Sequence, residues 1–180
     1  EALVLNARLT KAYFPLGLSL IRMGRFEDAA VPLGKTTTDN PDYPRVQNEL
    51  GIGFWKLKKY AEAIGSFKRA IESDPSFIEP YISLGSLATI TGNYLQAIQY
   101  LEESIKRKPN NLKAHYNLAL VYEIVGRYQD AVDEYSEVIK LNPKNSDVHF
   151  NLGWALMESK RYIEALVPLK KSIRLNPKNT

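Results

Sequence analysis

The stretch KLNPKN at residues 140–145 returns as RLNPKN at residues 174–179, 34 residues further along the chain. Its proline belongs to a series, Pro41, Pro75, Pro109, Pro143 and Pro177, spaced evenly by 34 with no insertion or deletion. A fixed period of about 20 to 50 residues marks an array of small supersecondary units, each too small to bury its own apolar face and each covered by its neighbours. Function therefore has to be sought in the repeat and in the columns where it varies.

Setting each proline at position 32 gives five units, 10–43, 44–77, 78–111, 112–145 and 146–179. Position 7 is then always leucine (Leu16, Leu50, Leu84, Leu118, Leu152), and position 8 is small (Gly17, Gly51, Gly85, Ala119, Gly153). Position 17 is aromatic (Phe26, Tyr60, Tyr94, Tyr128, Tyr162) and position 20 is alanine (Ala29, Ala63, Ala97, Ala131, Ala165). Position 24 carries a large residue (Leu33, Phe67, Leu101, Tyr135, Leu169). Apolar residues recur at helical spacing over positions 2–14 and 18–31, with a break at 15–17, so each unit is a helical hairpin. Gly24, Gly92 and Gly126 at position 15 suit the left-handed end of a helix, which Lys58 and Lys160 reach only at some cost. Small residues at 8 and 20 let the paired helices approach closely, and the proline stops the second helix.

With about seven columns agreeing over five consecutive units, residues 10–179 resemble the tetratricopeptide-repeat family. The resemblance implies an all-α fold, a right-handed α-solenoid superhelix of tandem helix-turn-helix repeats. It implies a protein-interaction scaffold whose first helices line a concave groove. Departures are local: position 4 reads Tyr13, Gln47, Tyr81, His115 and His149, and position 11 reads Leu20, Phe54, Ala88, Tyr122 and Leu156. Pro15 at position 6 predicts a late or kinked first helix, while Pro32 and Pro168 at position 23 predict bends within second helices.

Positions 5, 9 and 12 share one face of the first helix. Carried onto this chain, the family's groove takes Phe14, Asn48, Ile82, Tyr116 and Phe150 from column 5, and Leu18, Ile52, Ser86, Leu120 and Trp154 from column 9. Column 12 reads Ile21, Trp55, Thr89, Glu123 and Met157, and Asn117 and Asn151 stand at position 6. Most of these are apolar or aromatic, beyond what the core columns 4, 7, 8, 11 and 14 require. The face predicts a partner protein or peptide with an apolar or amphipathic segment, anchored on Trp55, Tyr116, Phe150 and Trp154. Columns 5 and 9 hold no lysine, so the family's clamp for acidic C-terminal tails is not expected, and Lys113 with Asn117 alone does not make one.

Other classes fare less well. The formal charge is only +4 and the fourth unit is net acidic, interrupting any basic stripe, so nucleic acid is not an expected partner. No apolar run is long enough for a membrane span. With no cysteine, neither disulfides nor thiolate chemistry is available, and the compartment stays open. His115 and His149, the two histidines, lack a partner at i+4 and an evident third ligand, so they read as substitutes for the aromatic at position 4. No nucleophile elbow or phosphate loop occurs, and neither catalysis, nor a metal, nor any cofactor is expected.

Two alternatives to a plain scaffold remain. Asn117 and Asn151 match part of the position-6 asparagine ladder of sugar transferases with this architecture, which would make the array the substrate-recognition arm of a larger enzyme; Pro15, Glu49 and Ser83 break the ladder. The other is self-association into a homo-oligomer. Residues 1–9, EALVLNARL, read as the tail of a preceding repeat helix, and the last repeat lacks a polar capping helix, so the chain is expected to be part of a longer array or to cover its ends with copies of itself.

Overall fold

The computed structural model describes residues 2–35 and 43–177, with residues 2–11 described by their backbone alone. Pro41 and the side chains of Ala2, Leu3, Leu5 and Asn6 lie outside the described residues. The fold is all-α, a solenoid of consecutive helical hairpins with no strand among the described residues. The helices are α1 (Ala2–Arg22), α2 (Phe26–Gly34), α3 (Tyr43–Lys56), α4 (Tyr60–Ser73), α5 (Glu79–Ile90), α6 (Tyr94–Arg107), α7 (Leu112–Ile124), α8 (Tyr128–Leu141), α9 (Ser146–Glu158) and α10 (Tyr162–Leu175). None is long and apolar enough to cross a membrane. The chain forms two compact units, residues 1–87 and 88–180, with the division inside α5 between Leu87 and Ala88.

The turn between paired helices has one chemistry throughout. Position 15 is left-handed in every hairpin: Gly24, Gly92 and Gly126 have φ of 74°, 79° and 75°, and Lys58 and Lys160 have φ of 60° and 62°. The next amide reaches back to the carbonyl five residues earlier, as from Lys59 to Phe54 (2.9 Å) and from Arg127 to Tyr122 (2.8 Å). This bond satisfies a carbonyl that the helix end would otherwise leave open and reverses the chain within three residues.

Within the first unit α1 packs on α2, α2 on α3, and α3 on α4. Ala29, Leu33, Val46 and Leu50 form a buried cluster joined by Phe14, Leu20, Ile21 and Phe54. The small residue at position 8 is set by contact: a Cβ on Gly51 would stand 2.6 Å from the Phe67 ring. In the second unit α6 through α10 pack each on the next, and a Cβ on Gly153 would stand 2.5 Å from Leu169. Position 20 is buried in all five hairpins.

Between hairpins the chain is tied at the proline. The Tyr81 hydroxyl donates to the Pro75 carbonyl (3.3 Å), and His115 and His149 donate through Nε2 to the carbonyls of Pro109 (2.7 Å) and Pro143 (3.0 Å). The histidines thus stand in for the aromatic at position 4 and reproduce its hydrogen bond, buried like Tyr81. Two asparagines after the proline cap the following helix: Asn111 accepts from the Ala114 amide, and Asn145 accepts from those of Asp147 and Val148. These contacts account for the asparagine that stands two residues after the proline in the third and fourth repeats.

The first helix departs from expectation. Where the repeat places a break ahead of Thr10, α1 runs unbroken from Ala2 to Arg22, and Pro15 neither delays nor ends it. Pro32 lies near the end of α2, which has only nine residues, whereas α10 continues past Pro168 to Leu175.

Candidate functional site

The predicted groove residues divide between the two units. In the first, Phe14, Leu18, Ile52 and Trp55 are half-buried, and Phe14 carries the Arg45 guanidinium 5.7 Å from its ring centre. Asn48 and Ile82 are buried. The Asn48 Oδ1 atom has no hydrogen-bond partner among the described residues.

In the second unit the same columns come together around a polar ladder. Tyr116 on α7 meets Tyr135 on α8 edge to face, with centroids 6.0 Å apart and planes at 61°. The Asn151 amide on α9 donates to the Tyr116 hydroxyl at 3.4 Å, and the Tyr135 hydroxyl donates to Glu123 Oε2 at 2.7 Å. Burial pushes the Glu123 carboxyl above the ordinary carboxylate range, and the Tyr135 hydrogen bond partly offsets this. Burial, followed by the adjoining Glu123 carboxylate, pushes the Tyr135 phenol up as well. Asn117 and Leu120 are half-buried beside them.

Above this ladder lies a cleft of about 460 Å³ lined by Glu123, Ile124, Tyr128, Phe150, Asn151 and Trp154. A smaller one of about 290 Å³, lined by Asp147, Phe150, Asn151 and Ser172, shares Phe150 and Asn151 with it. Phe150 and Trp154 are 52% and 48% exposed, unusual for side chains of their size on a helix packed on both α8 and α10. The structure therefore brings Phe150, Asn151 and Trp154 to one cleft, with Tyr116 joined to it through its hydrogen bond from Asn151. Ile124 and Tyr128 were not among the predicted groove residues, whereas Glu123 stood on the predicted face as the charged member of column 12.

The histidines do other work. His115 is held at both ring nitrogens, by Pro109 and by Glu134 Oε2 at 2.6 Å from Nδ1. The described residues contain no group of three His, Cys, Asp or Glu able to hold a metal.

Comparison with known proteins agrees with this architecture. Tetratricopeptide-repeat profiles match residues 14–76, 78–111, 112–145 and 134–167. The chain belongs to the tetratricopeptide-repeat family. No curated protein sequence matches it. Among solved structures, it is similar to a crystal structure of MamA protein at 24% identity and a TM-score of 0.83, over 96% of this chain and 94% of that one. A second MamA crystal structure is 25% identical with a TM-score of 0.81, over 90% and 95%. MamA AMB-1 is 22% identical with a TM-score of 0.77, over 95% and 93%. The likeness is one of fold. As a tetratricopeptide-repeat protein the chain is a protein-interaction scaffold, with an architecture typical of non-catalytic proteins.

Proposed function

We propose that this tetratricopeptide-repeat protein is a non-catalytic scaffold that binds a partner peptide or helix through an apolar or amphipathic segment laid along α7 and α9. The supporting observation is the exposure of Phe150 and Trp154 at the rim of the cleft between them. Large aromatics left half in water are anchors for association, since covering them recovers apolar area without ordering a new core. An acidic tail is a poor occupant, because no lysine stands in columns 5 or 9. Display selection of helical and extended peptides against the native chain and a Phe150→Ser, Trp154→Ser variant of equal helicity tests the reading. Enrichment of apolar or amphipathic peptides by the native chain alone supports it; identical selections from both proteins overturn it.

A second reading, self-association, draws on α10. On α10, Leu166 is 52% exposed beside the more exposed Ile163 and Val167, an apolar face that a second copy of the chain would cover. Sedimentation velocity across concentrations, repeated with Leu166→Lys and Val167→Lys, decides it. Mass that rises with concentration in the native chain and not in the variant supports self-association.

A further inference from the structure

We infer that the cleft over Glu123 receives a cationic side chain, the ammonium of a lysine or the guanidinium of an arginine, carried by the bound segment. This deepens the groove reading above and rests on it. Of the side chains lining the cleft, Glu123 alone is charged; the others are three aromatics, an isoleucine and an asparagine.

The state of that carboxylate is what points to a cation. Glu103, Asp130, Glu134, Glu137 and Glu164 of the same unit each face a basic partner, respectively Arg107, Arg127, His115, Lys140 and Arg161. Glu123 is half-buried and has no such partner among the described residues. Its recorded hydrogen bond is the one from Tyr135 to Oε2, and a carboxylate has about four acceptor sites. A charge withdrawn from water without a counter-ion is costly, and a cation entering from the open side would relieve that cost.

The walls suit the same ligand. A cation set over an aromatic face is attracted by the ring quadrupole, and Trp154, Phe150 and Tyr128 surround this opening. The methylene stem of lysine or arginine would lie along Phe150 and Ile124 while its head reaches the carboxylate. An acidic ligand would meet Glu123 with like charge. A purely apolar one would leave the carboxylate unpaired and further desolvated.

The test uses the full chain, labelled with ¹⁵N, and three probes: N-acetyl-lysine methylamide, N-acetyl-arginine methylamide and the uncharged isostere N-acetyl-norleucine methylamide. The readout is the indole N–H of Trp154, with Trp55, the other of the two tryptophans, as internal control. At least one cationic probe is expected to bind about tenfold more tightly than norleucine, and to do so less well in high salt. Glu123→Gln keeps an acceptor for Tyr135 and should bring that affinity down to the norleucine level. Trp154→Leu, read at Phe150 and Asn151, should lose part of the preference while keeping the apolar contact. Equal response to all three probes, no response at Trp154, or a cation preference that survives Glu123→Gln would overturn the inference. The peptide selection succeeds or fails independently of this comparison, so loss of the cation pocket and loss of the groove are separable results.

Discussion

The hydroxyl of Tyr135 donates a 2.7 Å hydrogen bond to the Glu123 carboxylate, joining the last turn of α7 to the middle of α8. Glu123 thereby keeps one strong donor in a half-buried setting that disfavours its charge. Tyr135→Phe should destabilise the chain by about 1–2 kcal/mol in urea denaturation at neutral pH. The direction of the loss follows from what the bond does: it favours the ionised carboxylate, so the penalty should shrink as pH falls through the Glu123 pKa, which burial has raised. A penalty independent of pH would mean that the hydroxyl matters through packing alone.

His115 predicts the opposite dependence. Its Nε2 faces a carbonyl and its Nδ1 faces the Glu134 carboxylate, so both nitrogens are best satisfied when both carry protons. The Glu134 hydrogen bond raises its pKa above the ordinary histidine value, against the lowering effect of burial. A group whose folded pKa is raised contributes stability that is fully present below the unfolded value, about 6.5, and that is lost as pH rises through the folded one. The melting temperature of the native chain, relative to His115→Gln, should therefore fall across that window. Glu134→Gln should flatten the difference.

The glycine at position 8 predicts a loss where helix propensity alone predicts a gain. Alanine is the better helix former by about 1 kcal/mol, yet the new methyl of Gly51→Ala would stand 2.6 Å from Phe67, which is fully buried and has little room to move. Overpacking of this kind costs about 1–3 kcal/mol, so the variant should unfold at lower urea. Leucine in place of Phe67 would not relieve this, since a Cβ on Gly153 would stand as close to Leu169 (2.5 Å). Phe67→Ala removes the ring, so Gly51→Ala combined with Phe67→Ala should cost less than the sum of the two single changes.

Much of this architecture is legible in the sequence, because contacts that recur every 34 residues become columns. Left-handed Lys58 and Lys160 could be read from the glycines that share their position, and the role of His115 and His149 from Tyr81. What was not legible depends on pairings between columns. Tyr135, Glu123, Tyr116 and Asn151 stand at positions 24, 12, 5 and 6 of two repeats, and no single column announces that they meet. The burial of Asn48 and Ile82 likewise follows from their neighbours, whereas the same column leaves Phe150 half exposed. The caps by Asn111 and Asn145 were not read from the sequence, although each is an asparagine two residues after the repeat's proline and immediately ahead of a helical run.

The two lysines at position 15 predict stabilisation by a surface change. Lys58 and Lys160 have φ of 60° and 62°, where a side chain crowds the backbone, while Gly24, Gly92 and Gly126 hold the same conformation without that crowding. Glycine also gains freedom in the unfolded chain, which opposes folding and takes back part of the relief. With the side chains exposed and the turn geometry shared by all five hairpins, relief of the strain should win. Lys58→Gly and Lys160→Gly are each expected to raise stability by about 0.5–1 kcal/mol in thermal or urea denaturation, and additively, since the sites lie in separate compact units. A loss in either variant would show that the lysine makes a contribution outside the turn that outweighs its strain.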